Sequence, residues 1–110
     1  MCYVDIMSTK NYKTTRLSKE EARKQIVKVA AQGKVVFTNH AVQRMIERNI
    51  IINDIINVLL SNSMRVSEGE PHSSGYTYKC STKKFAVAVG FTVRGDGVVV
   101  VTVFHAEKRG

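Results

Sequence analysis

Apolar positions recur at helical spacing between residues 18 and 60, and beyond residue 64 they alternate as they do in strands. The first helix opens at Ser18-Lys19-Glu20-Glu21. The serine hydroxyl can accept the Glu21 amide while the Glu21 carboxylate reaches back, which makes a capping box. Ala22, Ile26, Val29 and Ala30 form one apolar stripe, and Gly33 ends the helix because glycine takes the left-handed cap cheaply. Lys34–Phe37 is a short β-branched run that predicts a strand. Thr38 or Asn39 then caps a second helix over His40–Arg48, with Ala41 and Met45, and beside them Val42 and Ile46, expected to face inward. Asn49 stops it. Ile50-Ile51-Ile52 is expected in the core. Asn53 is expected to cap a third helix, Asp54–Ser61, with Asp54 where the helix dipole favours an anion. Ile55, Ile56, Leu59 and Leu60 give that helix a broad apolar face.

The remainder of the chain reads as strands. Met64–Glu68 is one, Glu70–Gly75 a turn cluster, Tyr76–Cys80 a second strand and Ser81–Lys83 a turn. In Lys84–Val93, Phe85, Val87, Val89 and Phe91 share one face, and Ala86, Ala88 and Gly90 the other. Arg94-Gly95-Asp96-Gly97 carries the Asp-Gly hairpin signal, so this strand should pair with Val98–Phe104. That last run is apolar nearly throughout, as a strand covered on both faces would be. The expected fold is α+β, with N-terminal helices packed on an antiparallel β-sheet meander. Residues 1–17 are expected to be a flexible basic arm, with Met7 a plausible alternative start, and 18–110 one domain.

Length and charge narrow the function. A chain of 110 residues suits one domain, and no apolar run is long enough to span a bilayer as a helix. The N-terminus lacks the pattern of a secretory signal, so a cytoplasmic location with no membrane partner is expected. Cys2 and Cys80 match no metal spacing and read as free thiols, Cys80 as a packing residue. The three histidines are far apart, and no metal or other cofactor is expected. The formal net charge of +8, from 17 Lys and Arg against 9 Asp and Glu, favours a polyanionic partner: nucleic acid, an anionic membrane surface or an acidic protein, the first and last of these preferred.

The sharpest local feature is Asn39–Arg48. His40, Arg44 and Arg48 recur every four residues and so share a helix face. Arginine offers a planar fork of donors suited to phosphate, and histidine moves protons near neutral pH. The face therefore reads either as a phosphodiester-binding surface with an acid/base candidate or as a solvated helix face with Glu47 screening Arg44.

The stretch Phe37-Thr38-Asn39-His40-Ala41-Val42-Gln43-Arg44-Met45-Ile46-Glu47-Arg48-Asn49-Ile50, followed by Asp54-Ile55 and Leu59, resembles the core motif of a bacterial family, domain of unknown function 4258. Val100–Phe104 is similar to its closing strand. Asn49 stands where glycine is common, a harmless departure because Asn also tolerates the left-handed conformation. The resemblance implies a relation to small toxin folds of the RelE and BrnT kind. On that reading the chain is the toxin of a type II toxin–antitoxin pair, a metal-independent endoribonuclease that inhibits translation. Its partners would be mRNA, free or on the ribosome, and a cognate antitoxin, of zinc-finger type in related pairs. His40 or His105 would then be base or acid, Arg44, Arg48 and Lys79 would hold the phosphate, and Tyr76 or Tyr78 would stack a base or donate a hydroxyl proton. Lys108 and Arg109 would close the site from the tail. Two alternatives stay open at this point: a non-catalytic RNA- or ribosome-binding module, and a small basic protein-interaction domain.

Overall fold

A computed structural model of the chain describes residues 11–72 and 75–106. Among the described residues three helices, α1 (Lys19–Ala31), α2 (Asn39–Arg48) and α3 (Ile52–Leu60), pack on a six-stranded, mostly antiparallel open sheet. The strands are β1 (Val35–Phe37), β2 (Arg65–Val66), β3 (Glu70–His72), β4 (Gly75–Ser81), β5 (Phe85–Phe91) and β6 (Val98–His105). Their order is β1-β6-β5-β4-β2, with β3 also on β4. β1 lies parallel to β6, a departure from a purely antiparallel meander.

Local chemistry sets the helix ends. The Ser18–Glu21 capping box is formed, the Thr38 hydroxyl accepts the Ala41 amide, and Asn49 closes α2 in the left-handed region at φ 59°. α3 begins earlier than an Asn53 cap predicts. The Asp54 carboxylate accepts the Ile51 amide at 3.1 Å, so Ile51 is the N-cap and Asn53 sits in the first turn. Ile55, Val58 and Leu59 then face inward, while Ile51 and Ile52 stay more than half exposed instead of joining Ile50 in the core. Val42 and Ile46 are likewise exposed, Ile46 at 76%. α2 packs along β6 through a narrow stripe, Ala41 and Met45, that leaves its flanks uncovered.

The β5–β6 hairpin forms as its Asp-Gly signal predicts, with Gly95 at φ 76° in the loop. Ala88 pairs with Thr102 but Val89 with Val100, so Val101 is an extra residue in β6. This bulge lets Val98, Val100 and Val103 all face the helices. The strand is not covered on both faces: Val99, Val101, Thr102 and Phe104 are only half-buried. Glu70–His72 is a strand, not part of a turn. It forms a short edge on β4, where Pro71 is tolerated because no further ladder follows.

Tyr78, Val87, Val89, Val98, Val100 and Val103 fill the core together with Ile26, Ile55 and Leu59. The described part of the expected arm, residues 11–17, is anchored to the domain. Tyr12 donates its amide to the Val93 carbonyl, Lys13 accepts the Tyr76 amide, both at 2.9 Å, and Leu17 is buried. The reason is Tyr78, whose hydroxyl accepts the Leu17 amide at 2.8 Å and ties the segment to the sheet. Residues 1–10, with Cys2 and Met7, lie outside the described residues.

Candidate nucleic-acid interface

The β4–β5 turn is organised by Thr82, whose hydroxyl lies 3.4 and 3.5 Å from the Lys84 and Phe85 amides. This fold of the turn leaves Lys83 and Lys84 exposed. Three depressions of about 430, 300 and 390 Å³ meet here, and Thr82 lines all of them. Around them stand Arg65 at the start of β2, Lys79 on β4, and Lys83 and Lys84 in the turn. Ser61, Ser63 and Ser81 add hydroxyls, the first two in mutual contact at 3.0 Å. Asp54 is the single carboxylate among the described lining residues, and it already accepts the Ile51 amide.

The rim keeps its positive charge. The ion pairs among the described residues are Arg16–Glu68 and Arg44–Glu47, and neither involves a rim cation. The Lys79 ammonium lies 5.3 Å from the centre of the Phe104 ring, which steadies it without neutralising it. Four cations among hydroxyl donors, with one carboxylate already bonded, make a surface suited to a chain of phosphates.

The residues singled out in the sequence are distributed unevenly about this rim. Lys79 and His105 line the same depression. The His105 ring, however, turns to the helical side, where it lies against Phe85 and its Nε2 is 2.8 Å from the Arg48 carbonyl. A carbonyl only accepts, so Nε2 is the donor in this contact. Arg48 donates to the Val103 carbonyl at 2.9 Å and thereby closes the edge of β6 beyond the end of β1. One terminal nitrogen of its guanidinium is thus held by the fold. Arg44 is held by Glu47, and His40 is exposed two turns before Arg48, roughly 12 Å along the helix. The α2 face therefore does not converge on the rim.

Tyr78 is fully buried with its hydroxyl engaged, which leaves it no surface to offer a base. Burial also raises its hydroxyl pKa. Tyr76 is half-buried against the core. Cys80 is a packing residue, and burial pushes its thiol up to about 12. Lys108 and Arg109 lie outside the described residues. His72 is exposed, on β3.

Sequence reasoning passed over Arg65, Lys83, Lys84, Ser61 and Ser63. The adjacent Lys83-Lys84 pair, where the predicted turn meets the predicted strand, was the available signal, since two like charges at a strand junction have no packing role. Among the described residues no group of three or more His, Cys, Asp or Glu is placed to hold a metal ion, and no helix is long and apolar enough to cross a membrane. No curated protein and no solved structure matches the chain. A family described as Domain of unknown function (DUF4258) matches residues 37–105, from the last residue of β1 to the last of β6, and the chain belongs to it.

Proposed function

We propose that the domain binds RNA through the cationic rim of the β4–β5 turn and acts on translation as the toxin of a toxin–antitoxin pair. The observation that carries RNA binding is the convergence of Arg65, Lys79, Lys83 and Lys84 around Thr82, with no acidic partner in an ion pair among the described residues. The toxin role, with an antitoxin as the protein partner, rests on the relation that membership of this family implies to small toxin folds of the RelE and BrnT kind.

A second reading, metal-independent RNA cleavage, is favoured by Lys79 and His105 lining one depression. In that reaction the ribose 2′-oxygen attacks the adjacent phosphorus, and the bond from phosphorus to the 5′-oxygen breaks. A base takes the 2′ proton and an acid protonates the leaving oxygen. His105 is the candidate base, and the Lys79 ammonium holds the phosphate and can supply the second proton.

The test has two arms. Purified protein is mixed with single-stranded RNA and followed by anisotropy and by gel, and the protein is induced alone in a bacterium. The expected results are RNA binding that weakens about tenfold or more in a Lys83→Ala/Lys84→Ala variant, and growth arrest relieved by a neighbouring partner gene. Cleavage to 2′,3′-cyclic phosphate ends that His105→Ala slows about a hundredfold would establish the second reading. Absence of RNA affinity at moderate salt would contradict RNA binding, and normal growth at high levels of folded protein would contradict the toxin role.

A further inference from the structure

The face of the sheet opposite the described helices holds another depression, of about 440 Å³, at the other end of β4 and β5 from the turn. It is lined by Gly90 of β5, Val99 and Val101 of β6, Thr77 of β4, His72 of β3 and Lys13 of the anchored N-terminal segment. Among the described residues no Asp or Glu lines it.

Gly90 needs an explanation, because glycine weakens a strand interior. Its φ lies outside the left-handed region, so the backbone does not require it. A Cβ built there would meet only the Tyr76 carbonyl oxygen, at 3.5 Å, which is an ordinary contact. Close packing does not require it either. What the missing side chain leaves is open floor, beside Val99, its partner in the ladder. Small apolar groups at that spot suit the flat face of a ring, and the volume lies in the range of small-ligand sites. Lys13 and His72 add positive and hydrogen-bonding character. The Lys13 backbone is fixed, its amide donating to Asn11 Oδ1 at 3.0 Å and its carbonyl accepting from Tyr76.

We propose that this depression is a nucleotide site: a base lies over Gly90, Val99 and Val101, with its phosphate toward Lys13 and His72. The site rests on the RNA reading above for its natural ligand, one nucleotide of the chain held at the rim. Thr77 and Lys79 are two residues apart on the same face of β4, roughly 7 Å along the strand. One extended strand of RNA can therefore reach both.

The test titrates the full chain with AMP, GMP, CMP and UMP, following backbone amides by NMR, and measures RNA affinity by anisotropy. Wild type, Gly90→Val and Lys83→Ala/Lys84→Ala are compared. Mononucleotides are expected to shift the amides of Gly90, Val99 and Val101. Gly90→Val should fold, lose the nucleotide shifts and bind RNA about tenfold more weakly. The double lysine variant should keep the nucleotide shifts. If Gly90→Val does not fold, Gly90→Ala takes its place with the smaller methyl group. No shifts in wild type at millimolar nucleotide, or shifts that survive filling the floor, overturn the site. A wild type that takes mononucleotides but no RNA sinks the rim and leaves the site. RNA binding unchanged in Gly90→Val, without nucleotide shifts, sinks the site and leaves the rim.

Discussion

Arg44 and Arg48 look alike in the sequence, one helical turn apart, yet they do different work. Arg44 makes a partly exposed pair with Glu47, whereas Arg48 bonds the free edge of β6. Arg48→Ala should therefore cost about 1–2 kcal/mol, since a carbonyl at the strand edge loses a charged donor. Arg44→Ala should stay within about 0.5 kcal/mol. Urea denaturation of the two variants decides the matter, and equal effects would contradict the assignment. The difference was not legible in the sequence, because it depends on β1 ending before β6 does. Cys80 gives a pH test. Its folded thiol ionises near 12 against an ordinary 9.0, so the unfolded chain releases the proton first as pH rises. Stability from this group is complete below pH 9 and is lost as pH climbs toward about 12, with a slope of at most about 1.4 kcal/mol per pH unit. Cys80→Ala should remove that part of the alkaline slope while lowering stability at every pH through the cavity it leaves.

Element boundaries were readable where the signal was local. Ser18, Thr38, Asn49 and the Gly95-Asp96-Gly97 loop each act within a few residues of themselves, and each marks an end the structure has. Asn49→Gly should be nearly neutral, because φ is 59° there, and Asn49→Val should cost about 1–2 kcal/mol by forcing a branched residue into the left-handed region. Thermal denaturation checks the pair, and a harmless valine would contradict the cap. Orientation was harder to read. Which flank of α2 is covered depends on its seat along β6, and a helical repeat alone does not say that Ala41 and Met45 are buried while Val42 and Ile46 are not. The start of α3 was misread because Asn53 and Asp54 both cap well, and only geometry shows that Asp54 reaches back to Ile51.

At the scale of the whole molecule, the order of helices and strands and the β5–β6 pairing followed from periodicity, but the cationic rim did not. Arg65, Lys79, Lys83 and Lys84 come together because β2 and β5 both pair with β4, a consequence of non-local register. The excess charge was visible in the composition; its location was not. The salt dependence of RNA binding tests the role of the rim most directly. Each phosphate contact on single-stranded RNA contributes about −0.7 to the slope of log Kobs against log salt. Wild type should give a slope near −2 to −3, as roughly three or four contacts would, and Lys83→Ala/Lys84→Ala should flatten it by more than 1 while Arg44→Ala leaves it unchanged. A slope that the double variant does not alter, or that Arg44→Ala flattens instead, would contradict the rim and return the phosphate contacts to α2.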